Sequence, residues 1–281
     1  MNLIKSIFIF LAPLTLFVVL TQAILSFMNK SNILINIGLL MSTLPLLLFL
    51  LYILIFKKLA RTSFHLPWVS VPSFLGYSLV LFVFIKHSNV IYINAMVYSM
   101  ASFFITFLYI YWYSNNARKT SGDIEVSQQL PVFMLKDIEN KPVSSESFNG
   151  KKTLIFFYRG NWCPLCMAQI DEIVKMYKQF EKHNIDVVFI SPQPASHTES
   201  LAKRFDLSFK FYTDENNLVA EQFGIKHNFG LPMGFQALGY KSDSVYPTVI
   251  AIDEQGSIIY SDQTSNYRIR PEPEDLLGIF V

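Results

Sequence analysis

Cys163 and Cys166 are the only thiols in the 281-residue chain, and they stand three apart in the run Asn161-Trp162-Cys163-Pro164-Leu165-Cys166. A Cys-x-x-Cys pair where a strand runs into a helix is a thiol redox site. The flanks have that character. An apolar, β-branched and aromatic run, 153–158, precedes the pair, and Ile170, Ile173, Val174, Tyr177 and Phe180 follow at helical spacings of three and four. At the start of that helix Cys163 meets the positive end of the macrodipole and unpaired backbone N–H groups, both of which favour thiolate. Thiols so placed have pKa values of roughly 3.5–7.5, against about 8.5 for a free thiol. Pro164 suits the first helical turn because it has no N–H to leave unpaired. Cys166, one turn further on, is placed to attack a mixed disulfide or a sulfenic acid on Cys163. The alternative is a pair of buried structural cysteines.

This chemistry needs no bound cofactor. Two cysteines build neither a disulfide framework nor a four-thiolate zinc site. The five histidines, His65, His87, His183, His197 and His227, form no ligand spacing. The chain has no phosphate-cradling glycine loop and no basic, aromatic-interleaved patch for nucleic acid. Arg159, four residues before Cys163, either stabilises a thiolate or peroxide oxygen or faces solvent. Trp162 shields the thiolate, offers a contact surface, or packs in the core. Arg268 and Arg270 either reach the site or pair with Glu272, Glu274 or Asp275. His183 suits a helix C-terminus.

The elements that position these residues lie in 130–281. Short strands are expected at 131–135 and 142–143, buried strands at 153–158 and 185–191, and a further strand at 209–212. Helices are expected from Cys166 to about His183, at 196–205 and at 215–223. Residues 249–253 and 257–261 flank Glu254-Gln255-Gly256 as a hairpin, and a helix at 271–280 closes the chain. The insertion 227–244, with Phe229, Leu231, Met233, Phe235 and Leu238, is a surface loop, a cover over the thiols or a membrane contact. Strands alternating with helices indicate an α/β sandwich around one central sheet.

Residues 1–113 are of another kind. They hold six Lys/Arg and no acidic residue, whereas the rest carries a net −4 from 17 Lys/Arg against 21 Asp/Glu. Hydrophobic residues make up 52% of the chain and the mean hydropathy is +0.34. Four apolar stretches, 6–28, 33–56, 69–85 and 90–113, approach the roughly 20 residues that span a bilayer. The first reads as a retained helix, with no good cleavage site after it. Lys5, Lys57, Lys58, Arg61, Arg118 and Lys119 fall on one side, and Lys30 and Lys86 on the other. The positive-inside rule then puts both termini in the cytoplasm. Tyr109, Tyr111, Trp112 and Tyr113 suit an interfacial belt. The division is therefore 1–113 as a four-span transmembrane helical bundle, 114–129 as a polar linker, and 130–281 as a thioredoxin-like domain.

The run from Phe157 through Tyr158, Arg159, Gly160 and Asn161 to Cys166 resembles the active site of thioredoxin-fold redoxins, and within them the peroxiredoxin-like AhpC/TSA families. Tyr246-Pro247-Thr248 resembles the fold's cis-proline loop. Residues 252–258 and 266–274 resemble the family's hairpin and C-terminal stretch. The resemblance implies a central mixed sheet, a cis Pro247 beside the Cys163–Cys166 pair, and Tyr246 presenting backbone to substrate. It implies reduction of peroxides or disulfides, with electrons from a thioredoxin- or glutathione-type dithiol donor. The sequence departs from the family at Gly160, where a Thr or Ser is usual, and at Phe156, where a Pro is usual. That shifts weight towards general thiol–disulfide exchange. The expectation is a thiol oxidoreductase anchored in a lipid bilayer, the bacterial inner membrane. The rivals are a protein-disulfide reductase, for example in cytochrome maturation, and a non-catalytic membrane scaffold that uses the fold for binding.

Overall fold

The structure, a computed structural model, describes residues 1–29, 32–87, 92–205 and 209–281. The chain divides into two compact units. One comprises Ile7–Phe56 and Thr62–Asn115; the other comprises Met1–Ser6, Lys57–Arg61 and Asn116–Val281.

The helical unit follows from composition. Helices α1 (Asn2–Met28), α2 (Ile33–Phe56), α3 (Pro67–His87) and α4 (Ile93–Phe107) are apolar on every side, and α4 runs on into a π-helical turn, Leu108–Tyr113. Among the described residues four helical stretches are long and apolar enough to cross a membrane, with hydropathies of 1.6 to 2.6. Lys30 and Val90, used above for a loop charge and a span boundary, lie outside the described residues. Polar side chains inside the bundle serve one another: Ser73 Oγ donates to the Ser42 carbonyl at 3.1 Å, and the Thr43 and Ser102 hydroxyls meet at 3.0 Å. Tyr109 departs from the expected belt, being fully buried against Phe49 and Tyr113.

Helices α2 and α3 approach closely because small residues face each other, the usual device where no water drives association. A Cβ on Gly76 would lie 2.5 Å from both the Gly38 carbonyl oxygen and the Ser42 nitrogen. Gly76→Leu is therefore expected to force α2 and α3 apart and lower the detergent-solubilised melting temperature by several degrees, about 1–3 kcal/mol of overpacking. Thermal unfolding of the purified variant checks this.

In the other unit the described strands and helices are β1 (Met134–Lys136), β2 (Pro142–Ser144), β3 (Lys152–Phe157), α5 (Pro164–Lys175), α6 (Tyr177–Lys182), β4 (Ile185–Ser191), α7 (Ala195–Arg204), β5 (Lys210–Thr213), α8 (Leu218–Gln222), β6 (Lys226–His227), β7 (Ser244–Val245), β8 (Thr248–Ile252), β9 (Ile258–Asp262) and α9 (Pro273–Gly278). The sheet order is β2-β1-β5-β4-β3-β8-β9, with β6 and β7 paired separately. Strands β3, β4 and β5 are parallel, whereas β8, β9, β1 and β2 join antiparallel. This is the central mixed sheet expected. β3 and β4 read as continuous apolar runs because residues on both faces are buried. Phe157 pairs with Ile190 on one side and Thr248 on the other, so β3 delivers the chain to the site from mid-sheet.

Three local differences matter. The helix expected to reach His183 breaks at Met176, whose ψ of 8° leaves the helical region, giving α5 and α6. The helix expected at 215–223 starts as a 3-10 turn with Asn216 and Asn217 left-handed, before Asp214 accepts bonds from the Val219 and Ala220 N–H groups. Within the stretch 114–129, expected as a linker, residues 116–129 are held on the sheet unit. Ile124 is buried in its core, the Asn116 N–H bonds the Ser265 carbonyl at 2.6 Å, and Ser121 N–H bonds Gln263 Oε1 at 2.7 Å. Polar composition there serves hydrogen bonds within the protein, which composition alone does not distinguish from solvation.

Candidate active site

Cys163 is the N-cap of α5, in extended conformation (φ −84°, ψ 109°), with Pro164 opening the helix. Both thiols are free and buried, and their sulfurs share a hydrogen bond at 2.8 Å. A third group completes the centre. The buried Arg270 places Nη2 3.5 Å from Cys166 Sγ, while Nη1 bonds Gln169 Oε1 at 2.6 Å and Nε bonds the Tyr267 carbonyl at 3.2 Å. Of the two arginines considered from sequence, Arg270 is the one that meets a sulfur; Arg268 is fully buried nearby in sequence.

The charge distribution inverts one expectation. Burial raises the Cys163 thiol well above its usual range, and its hydrogen bond to Cys166 adds to this against the opposing fields of Arg270 and Arg159. Burial also raises Cys166, but the hydrogen bond from Cys163, the Arg270 guanidinium, and the backbone and side chain of Arg159 together bring it down to about 5. The pair thus loses one proton readily and holds the second. At rest the anion sits with Cys166 and Arg270 rather than with Cys163 at the helix start. In this desolvated site the hydrogen bond with Cys163, and after it the Arg270 guanidinium, outweigh the helix end.

Arg159 does not face solvent. Its guanidinium lies 4.6 Å from the Trp162 ring centroid and 5.6 Å from that of Tyr267, and Nη2 bonds the Gly230 carbonyl at 2.5 Å. Trp162 is half-buried and meets Phe235 at 6.1 Å, so the insertion 227–244 packs on the redox loop through Gly230 and Phe235. Phe229 and Leu238 of the insertion remain exposed.

Gly160 has a structural reason as well as a chemical one. Its φ is +136°, and a Cβ there would lie 2.8 Å from Trp162 Nε1 and 3.3 Å from Gln193 Oε1. Gln193 was not legible as a site residue. It is buried, accepts from the Asn161 N–H at 2.8 Å, and donates to the Tyr158 hydroxyl at 3.0 Å. Its only sequence signal is an amide between Pro192 and Pro194 directly after a buried strand.

Two expectations about the Tyr246–Pro247 loop are corrected. No peptide bond among the described residues is cis, so Pro247 is trans. Tyr246 does not offer its backbone, since its N–H bonds the Ile225 carbonyl at 2.8 Å and its carbonyl accepts from Thr248 Oγ1 at 2.9 Å. The Tyr246–Ile225 bond lies one residue beyond the β6–β7 pairing, and Arg118 Nη1 donates to the Pro247 carbonyl at 3.2 Å. The Tyr246 ring stacks on buried His227, with centroids 4.3 Å apart. Burial, and after it the fields of Arg159 and Lys5, push the pKa of that imidazole well below its usual range. Among the described residues no group of three or more His, Cys, Asp or Glu side chains could hold a metal ion.

Residues 126–261 match the AhpC/TSA family model. The chain is 35% identical over 95 residues to chloroplastic peroxiredoxin Q of Sedum lineare, covering 34% of this chain and 51% of that protein. It is 29% identical over 138 residues to a protein of Coxiella burnetii (strain RSA 493 / Nine Mile phase I) that is by name a bcp-type peroxiredoxin, covering 48% and 85%. The chain thus spans about half the length of the plant relatives it matches. Among solved structures, peroxidoxin BcpB of Mycobacterium tuberculosis superposes with a TM-score of 0.45 at 21% identity, over 56% of this chain and 96% of that one.

Proposed function

From a C-terminal domain that is peroxiredoxin-like, of AhpC/TSA type and thioredoxin fold, we propose a membrane-anchored thiol peroxidase that works through Cys163 and Cys166. The observation that carries this is the pair of free sulfurs 2.8 Å apart beside the buried Arg270. The shared hydrogen bond lets the Cys163 proton pass to Cys166. The Cys163 thiolate then attacks the distal oxygen of a hydroperoxide, breaking the O–O bond. The alcohol or water leaves with a proton, and Cys163 becomes a sulfenic acid. Cys166 displaces its oxygen as water, forming the Cys163–Cys166 disulfide. A thioredoxin- or glutathione-type dithiol donor restores both thiols.

Cys163 is 1% exposed and Cys166 is 0% exposed, which supports a small hydroperoxide over a protein disulfide. Gly160 favours a second reading, disulfide reduction, because it supplies no hydroxyl to hold a peroxide. The two separate in one assay. Full-length protein in detergent, coupled to a thioredoxin-regenerating system, is expected to consume hydroperoxide with saturable kinetics. Turnover of insulin disulfides without hydroperoxide consumption would assign the disulfide-reductase role instead.

The apolar helices support an integral place in a lipid bilayer, proposed here as the bacterial inner membrane. Lys5, the loop Lys57–Arg61, and Arg118 with Lys119 all fall in the unit that holds the thiols. That common location supports a cytoplasmic redox domain, with all these positive charges on the inner side.

A further inference from the structure

One guanidinium joins the redox helix to the segment that carries Arg270. Arg61, in the loop Lys57–Arg61 between α2 and α3, bonds Glu272 Oε2 through Nη1 and Glu172 Oε2 through Nη2. That loop belongs to the same compact unit as the thiols. The Arg61 side chain is 19% exposed and that of Glu172 28%. Glu172 lies on α5 and Glu272 is the N-cap of α9.

These contacts form a ladder. Cys166, Gln169 and Glu172 succeed one another at intervals of three along α5. Arg270 spans the first two, meeting Cys166 Sγ and Gln169 Oε1. Arg61 takes the third and reaches Glu272, two residues beyond Arg270. The position of the Arg270 guanidinium depends on the spacing between α5 and the stretch 267–272. Arg61 sets that spacing at its outer end.

We infer that Arg61 is a positioning residue for the dithiol, so that the loop between two apolar helices clamps the Arg270 segment onto the Cys-x-x-Cys helix and maintains the charge around the sulfurs. The inference rests on Cys163 and Cys166 being the redox centre, and not on a peroxide being the substrate. A merely structural role predicts little, because partly exposed ion pairs contribute little stability. The groups facing the sulfurs are Arg270, both backbone and side chain of Arg159, and the buried Tyr158, with Asp262 acting through Arg270. Loss of Arg61 removes a cation, leaves two carboxylates uncompensated, and loosens Arg270. All three effects disfavour the thiolate.

The test is the pH midpoint of iodoacetamide alkylation of the reduced, full-length protein in detergent. Arg61→Ala is expected to move the midpoint up by about half a pH unit or more, a thiolate-to-thiol ratio about threefold lower at the wild-type midpoint. Arg61→Lys, whose point charge cannot fork to two carboxylates, is expected to give a smaller shift of the same sign. Arg61→Gln, which loses both the charge and the fork while keeping a polar side chain, is expected to shift the midpoint upward as Arg61→Ala does; the Lys and Gln variants carry the test if Arg61→Ala does not fold. Midpoints that superimpose on wild type, whatever the thermal stability, overturn the inference. Alkylation needs no peroxide, so a failure of the peroxidase reading would leave this result standing.

Discussion

Cys163→Ser is expected to reduce peroxide consumption to the uncatalysed background, whereas Cys166→Ser is expected to consume about one equivalent per chain and stop. The difference follows from geometry. Without Cys163 the remaining thiolate is fully buried beside Arg270, with no attacking position at the helix start. Without Cys166 the N-cap sulfur still reacts, but its sulfenic acid has no thiol 2.8 Å away to displace the oxygen. Mass spectrometry is expected to find Cys163 retaining one oxygen, or a mixed disulfide with added thiol. Burial still raises Cys163 in that variant, but the hydrogen bond and negative field of Cys166 that add to it are gone, and Arg270 and Arg159 still oppose it. Cys163 in that variant should therefore alkylate at lower pH than a thiol raised by its neighbour would. In the wild type, thiolate should persist down to about pH 5 and disappear below it, because the lowered group is Cys166. Full turnover by Cys166→Ser in the presence of a dithiol donor would remove Cys166 from the resolving role.

Gly160→Thr is expected to impair the protein, although it restores the residue usual at this position in the family. The backbone there has φ +136°, which L side chains rarely adopt, and the new Cβ would stand 2.8 Å from Trp162 Nε1. Strain of this kind costs about 1–3 kcal/mol. Displacing Trp162 would also disturb the Arg159 guanidinium stacked on it, and with it the contact to Gly230. The expected outcome is a melting temperature several degrees lower and a peroxidase rate below wild type. Gly160→Ala separates the two causes, since it adds the Cβ without a hydroxyl and should impair activity comparably. A Gly160→Thr protein more active than wild type would show that the missing hydroxyl, and not the backbone, limits this site.

Much of the architecture was legible because burial writes itself into side-chain type. The strand 185–191 was placed to the residue, since a strand covered on both faces must be apolar throughout. The span 33–56 was placed equally well, because an entire apolar helix admits few alternatives. Local breaks were not legible. Met176 is a good helix former, so nothing in its residue type marks the break at its ψ of 8°. The segment 114–129 looked solvated because polar residues look alike whether they bond water or a strand edge. The role of Gln193 and the ion pairs of Arg61 are not legible for a related reason, since their partners lie 32 and 111 or more residues away.

Asn161–Cys166 by itself carried the proposal of thiol chemistry, because two thiols three apart at a strand-to-helix junction have few other uses. The run of apolar residues before Ser114 likewise determined that helices long enough for a bilayer would form. Where the negative charge rests was decided only in three dimensions. Arg270 is 104 residues beyond Cys166 and approaches it only because the sheet order brings the chain after β9 back to α5. Electrostatic energy depends on distance in space and on burial, and neither can be read along the chain.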